Sequence, residues 1–215
     1  RFHFFENLLL PSLKLQTSDD FKLIVISSDA MPIIYQQRLQ GILADMPQAQ
    51  VVFSKTRNIG DEIGPILADE SGRSHDGHVI SFRVDYDDAL SRYFIDRLRR
   101  DAESLRTKTL ISYPNLIGIF LENDQTLGVS AHDSLCHGVG LARINSEQFL
   151  NHPFQMVHTR VWRHFPTLMD PTSFSAIRTF HSQNDTAVNR DRNILVLKQM
   201  ARDYGTDAHI QRVQA

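Results

Sequence analysis

The stretch FKLIVIS, residues 21–27, is an almost continuous run of apolar and β-branched residues, the pattern of a strand buried on both faces of a parallel sheet. Such a strand cannot stand alone. It needs strand neighbours and helices over both faces, so this run commits the chain to an α/β architecture. The surrounding sequence supplies the parts. Residues 4–16 read as helical, with Phe5, Leu9 and Leu13 in one stripe, and Pro11 predicts a kink or a fresh helix start at Leu10. Residues 32–45 place Tyr35, Leu39, Ile42 and Leu43 on one helical face, with Pro32 suited to the first turn. QVVFS (50–54) is a second strand. Residues 61–70 form a weak helix interrupted by Gly64 and Pro65, and SGRSHDG (71–77) reads as a mobile loop. A third strand, 78–84, runs into a helix whose stripe extends from Ala89 to about Leu105.

After residue 105 the rhythm changes. TLISY (109–113), IGIFLE (117–122), LGVSA (127–131) and GVGLARI (138–144) are short strands whose spacing suits antiparallel or mixed pairing. A last helix is expected at 191–204, ending at Gly205. The 215 residues suit a single α/β domain, 1–215, in two halves divided near residue 105. A net charge of −2 gives no basic field for nucleic acid, and no apolar run approaches the ~20 residues of a membrane span. The single cysteine, Cys136, excludes an internal disulfide framework and fits a reducing compartment. With no signal peptide in view, the expected location is cytoplasmic; peripheral membrane contact is left open.

The chemistry is concentrated in SFRVDYDDAL (81–90), where Asp85, Asp87 and Asp88 follow the third strand within four positions. Ligands of parallel α/β sheets bind at the carboxyl ends of the strands, where these carboxylates stand. One aspartate at a helix start can cap it, worth about 1 kcal/mol. Capping does not call for three, and like charges this close repel. A hard cation such as Mg²⁺ or Mn²⁺, shared with substrate phosphates, removes that cost.

The stretch resembles the Asp-x-Asp motif of GT-A-fold glycosyltransferases, and RVDYDDAL (83–90) is similar to the corresponding stretch of a bacterial family described as putative rhamnosyltransferases. RF (1–2), PSL (11–13), QT (16–17) and DDAL (87–90) occur in that family in this order; ARIN (142–145) and HSQND (181–185) match it loosely. The resemblance implies a GT-A-like mixed sheet flanked by helices, with a nucleotide-binding half (1–105) and a mixed or antiparallel acceptor-side half (106–215). It also implies a first strand upstream of residue 1. The implied activity, in polysaccharide biosynthesis, is metal-dependent transfer of a sugar, rhamnose by the family's description. The sugar passes from a nucleotide-diphosphate donor to a glycan or small-molecule hydroxyl acceptor. Asp87 would be the principal Mn²⁺ or Mg²⁺ ligand. Asp85 would reach the metal or the donor ribose, and Asp88 would support the site or cap the helix. His181 would complete the metal site. Asp29 would face the nucleoside and Arg1 the same pocket, with Lys55, Arg57 and Arg83 as phosphate partners. An inverting transfer needs a base to deprotonate the acceptor, for which Asp133, Asp170 and Asp185 are the candidates; a retaining transfer does not need it.

Other features have two readings each. HDSLCH (132–137) lacks a zinc-ligand spacing, and its cysteine reads as a small buried hydrophobe. Trp162, in HTRVWRHF (158–165), either stacks on an acceptor sugar or belongs to the second-half core. Three other classes share parts of the pattern. A nucleotidyltransferase would carry a glycine- and basic-rich loop after its first strand, and none is visible. An aspartyl-phosphate phosphatase would place its aspartates early in the chain. A catalytically inactive glycosyltransferase-like binding module would keep the fold without turnover.

Overall fold

The computed structural model describes residues 1–56, 58–73, 78–122, 125–146 and 158–181. It begins with a helix that changes pitch. After α1 (Phe2–Phe4), residues Phe5–Leu9 widen into a π-helical turn, and α2 (Leu10–Lys14) starts afresh. The amide of Leu10 donates to Phe5 O, five residues back. The cause is Pro11, which has no N–H to continue the regular ladder.

The chain then alternates as its patterning predicts. β1 (Leu23–Ser28), α3 (Ile33–Ile42), β2 (Ala49–Ser54), α4 (Ile59–Arg73) and β3 (His78–Phe82) follow in order. β1 and β2 pair in parallel, from Leu23 opposite Ala49 to Ser28 opposite Ser54. α4 is longer than expected. Asn58 accepts the Gly60 amide and donates to Asp61, and Asp61 and Glu62 favour the helix N-terminus, which offsets the donor lost at Pro65. The loop expected at 71–77 is therefore helical through Arg73, and Ser71 is fully buried; residues 74–77 lie outside the described residues.

A second departure follows β3. The helix expected directly after the aspartates begins only at Phe94. First comes a short strand, β4 (Asp88–Leu90), and then α5 (Phe94–Ala102). The spacing of Ala89, Leu90 and Phe94 fits a helix, but long-range pairing prevails here. β4 runs antiparallel to β10 (Ala176–Phe180), with Asp88 opposite Arg178 and Leu90 opposite Ala176. Asp88 is thus a strand residue and caps no helix.

The second half is mixed, as expected. It contains β5 (Leu110–Ser112), β6 (Asn115–Glu122), β7 (Gln125–Asp133), β8 (Ala142–Ser146), α6 (His158–Val161) and β9 (Thr167–Met169). Two four-stranded sheets result, in the orders β4-β10-β6-β7 and β3-β8-β5-β9, each with parallel and antiparallel pairs. The fold is a mixed α/β one, consistent with the glycosyltransferase-like architecture. The helix expected at 191–204 lies outside the described residues. Among the described residues no helix is long and apolar enough to cross a membrane.

The main core joins Leu9, Leu10 and Leu13, Leu39 and Leu43, and Phe94, Ile95 and Leu98 to the inner residues of the sheets. Tyr35, expected beside Leu39, stays largely exposed and stacks on Phe2 instead. Phe94, 1% exposed, is the centre, with Phe82 at 5.1 Å and Tyr113 at 5.6 Å between ring centroids. Gly140 closes over it. Its φ is +69°, a Cβ there would fall 2.7 Å from Phe94 Cε2, and its amide donates to Arg83 O at 2.7 Å. Only glycine fits, on both backbone and packing grounds. We predict that Gly140→Ala lowers unfolding free energy by about 2–5 kcal/mol, the combined cost of left-handed backbone and overpacking, read by urea denaturation.

Candidate active site

The carboxylate turn is held from below by the first helix. Ser12 Oγ accepts the Leu90 amide at 3.2 Å and donates to Leu9 O. Gln16 bridges further: its side-chain nitrogen donates to Ser12 O and Ser91 O, and its oxygen accepts the Ile95 amide. Thr17 donates to Asp96. Ser12 of PSL and Gln16 and Thr17 of QT are thereby the anchors of the turn, a role that their spacing alone does not reveal.

From the other side comes β10. Its register puts Arg178 opposite Asp88; continued, it carries Thr179 to Asp87 and His181 opposite Asp85. Thr179 Oγ1 donates to Asp87 O at 2.6 Å, and His181 Nε2 lies 2.9 Å from Asp87 Oδ2. Both side chains of this pair are over nine-tenths buried. Phe4 stacks on the imidazole with centroids 4.4 Å apart and planes 14° from parallel, so the first helix also fixes the ring. Asp85 is turned outward, held by Arg83 through Nε at 2.9 Å and Nη2 at 3.1 Å to separate carboxylate oxygens. Arg1 lies over Tyr86 at 5.5 Å, and so reaches the same turn.

Asp88 carries the electrostatic cost. Burial raises its carboxyl to about pH 8, and the charges of Asp87 and Asp85 add to the shift; Arg178 offsets part.

The structure brings together Arg1, Arg83, Asp85, Asp87, Asp88 and His181. It sets others apart. Asp133 ends β7 opposite Asn115, while Phe180, next to His181, lies opposite Phe120. The five residue steps between Asn115 and Phe120 along β6 span roughly 17 Å. Asp170 is at that same far end, since Asn115 donates to Pro171 O and Ser175 N to Asn115 O. Its carboxylate is bound to buried Arg97. Burial pushes its pKa upward, but hydrogen bonds from Thr172 and Arg97 outweigh that and hold the group at about 2. A carboxylate so stabilised is a weak base, so Asp170 is an anchor between α5 and the chain after β9. Asp185 and Arg57 lie outside the described residues. Asp29 is exposed just past β1, with its amide on Ser54 O; Lys55 is exposed after β2. Trp162 packs beside a small core of Leu110, Cys136, Leu141 and Val161, which favours its structural reading, and Cys136 is buried there as a hydrophobe. Thr179, Phe4 and Tyr86 are site residues that the sequence reading missed; the strand-like SAIRTF before His181 was the available signal for the first.

Among the described residues no three His, Cys, Asp or Glu side chains converge as a ready-made metal centre. The Asp87–His181 pair nonetheless offers donor types that a divalent cation takes. Asp87 Oδ2 and His181 Nε2 are hydrogen-bonded to each other at 2.9 Å, so a cation held by both would take the place of that bond.

The family model described as Putative rhamnosyl transferase matches residues 1–193, and the chain belongs to that family. The match spans both halves of the fold and every charged group of the turn. The family description indicates a glycosyltransferase. A search of curated proteins gave no match.

The raised pKa of Asp88 has a measurable consequence. A carboxyl that titrates at about 8 in the fold and ~3.9 when unfolded stabilises the protein below the lower value and loses that contribution as pH rises through the higher. Without added metal, stability should therefore fall between pH 4 and 8. Asp88→Asn should flatten this slope and leave the variant the more stable protein at pH 8.5, as measured by urea titrations at pH 5 and 8.5.

Proposed function

We propose that the protein is a metal-dependent glycosyltransferase that takes its sugar, rhamnose by the family description, from a nucleotide-diphosphate donor. The observation that carries the reading is the buried Asp87–His181 pair at the strand-to-strand turn. A carboxylate and an imidazole as adjacent ligands favour Mn²⁺ over Mg²⁺, which keeps a stricter oxygen shell. The ion, once bound, supplies Lewis-acid stabilisation of the diphosphate leaving group. Asp87 and His181 would hold it, with diphosphate oxygens and water as the other ligands.

The remaining residues bind and orient. Arg83 and Arg1 bring positive charge to the mouth of the turn, where the diphosphate would lie. Asp85 either turns to the metal or accepts from the donor ribose. Asp29, past the end of β1, faces the nucleoside side. Asp88 lends negative charge from below and becomes ionised once a cation offsets its neighbours. Asp133 and Asp170 stand at the far end of the sheet, which leaves Asp185, outside the described residues, as the candidate base of an inverting transfer.

Calorimetry with dTDP and Mn²⁺ tests the reading. Asp87→Asn and His181→Ala should each weaken Mn²⁺-dependent nucleotide binding by at least about 10–100-fold, with little change in binding without metal. Metal-dependent binding of undiminished strength in a folded Asp87→Asn protein would overturn it.

A further inference from the structure

Arg143, within ARIN (142–145) on β8, is a buried cation that its surroundings leave unmatched. The residue is 4% exposed. Its Nε is the one buried side-chain nitrogen or oxygen without a hydrogen-bond partner among the described residues. Arg97, which is also buried, shows the usual solution: its guanidinium meets Asp170 and is bonded to Thr172 and Ser173. Burial lowers the pKa of Arg143, and among the described residues no neighbouring charge counters that shift. A water molecule satisfies an N–H but leaves the charge, and a buried charge without a counter-charge is costly.

The register of β8 fixes what lies around it. Arg143 is opposite Ser81 on β3 and Leu110 on β5, so the three share one face of the sheet. Directly opposite residues of an antiparallel pair have Cβ atoms about 4.5–5.5 Å apart, which brings Ser81 beside the arginine. Leu110 belongs to the small core against which Phe165 packs, and Arg143 Cζ lies 4.1 Å from the centroid of the Phe165 ring. A guanidinium over an arene is held without a hydrogen-bond acceptor, so its N–H groups stay available. Ser81 brings a second donor. Its Oγ accepts Asn145 Nδ2 at 2.9 Å, which leaves its own O–H to donate. Ser81 and Phe165 are each half-buried, so these groups lie just beneath the surface.

We propose that Arg143 and Ser81 form a binding site for one oxyanion, a phosphate or a carboxylate, separate from the carboxylate turn. A planar guanidinium takes either group through two parallel N–H···O bonds, Nε supplying one of them, and the Ser81 hydroxyl adds a third. The anion brings the charge that β8 leaves unmatched. A neutral sugar hydroxyl would satisfy the N–H groups and still leave that charge. The site is on the sheet β3-β8-β5-β9, whereas Asp87 meets His181 at the end of β10, in the other sheet.

The test is proton–nitrogen magnetic resonance of the Arg143 Nε–H, without metal or nucleotide, during titration with inorganic phosphate and, separately, with glucuronate. At least one probe should move the resonance saturably. Phosphate acting alone identifies a phosphorylated ligand, and glucuronate alone an acidic sugar. Read on the Ser81 amide, Arg143→Met should weaken binding of that probe at least about tenfold, and read on the Arg143 Nε–H, Ser81→Ala should weaken it about 2–12-fold. If Arg143→Met does not fold, Arg143→Lys, which keeps the charge and loses the fork, takes its place. Mn²⁺-dependent dTDP binding should be the same in the arginine variant as in the parent. An Nε–H that neither anion moves overturns the proposal and makes Arg143 a structural residue. So does loss of dTDP binding in the arginine variant, which would assign Arg143 to the donor diphosphate. The two anion titrations decide the matter whether or not the parent binds dTDP.

Discussion

Everything at the active site hangs on a small set of hydrogen bonds between the first helix and the backbone after the aspartates. Ser12 takes the amide of Leu90, and Gln16 spans Ser91 and Ile95. These groups would otherwise belong to the start of a helix. Once they are taken, residues 88–90 are free to extend and to pair with β10, and that pairing is what brings His181 to Asp87. A helix at residue 88 would have used Asp88 as a cap and would have left no strand for β10 to meet. The side chains of two residues more than seventy positions away thus decide whether residues 88–90 begin a helix or form a strand.

The second half is fastened to the same turn by other means. Arg97 of α5 holds Asp170, Thr172 and Ser173 after β9 and lies 4.3 Å from the Tyr113 ring. Asn145, fully buried on β8, donates to Val79 O and Ser81 Oγ of β3, the strand that leads into the aspartates. Removing one partner from such buried polar groups leaves the other unsatisfied, at about 1–3 kcal/mol and more for charged ones. These are therefore structural charges and amides with fixed partners. The contrast with Asp88 is instructive: burial lowers the cost of neither, but Asp170 has donors and Asp88 has mainly like-charged neighbours.

Much of this was legible in the sequence, and what was not has a common cause. FKLIVIS, QVVFS and the apolar stripes gave the α/β first half because buried parallel strands and amphipathic helices are written in local periodicity. Pro11 gave the helix restart because its missing amide acts within one turn. The aspartates were read as a ligand site from their place after a strand, and the structure gathers them with Arg83 and His181. What local pattern could not express was partnership across the chain. Ala89, Leu90 and Phe94 carry helical spacing, and only Ser12, Gln16 and β10 make the first two a strand. Asp170 looks like any candidate base until Arg97 is beside it, seventy-three positions earlier. Trp162 looks like a sugar platform until Leu110, Cys136 and Leu141 are seen against it.

The position of the site follows from the way the two larger sheets meet. β3 is the edge strand of one and β4 the edge strand of the other, and the chain between them, residues 83–87, carries Arg83, Asp85 and Asp87. Where a chain passes from one sheet edge to another, its backbone is not committed to a ladder, and the sheets diverge to leave a crevice; ligands of open α/β sheets collect at such points. The divergence has an energetic price, since Asp87 and Asp88 are buried at the join with too few cations nearby. In the proposed function a divalent ion would supply the missing positive charge. The cost that these carboxylates impose without a cation would then favour the binding of one. By contrast, the buried charge of Arg97 is matched directly, by Asp170.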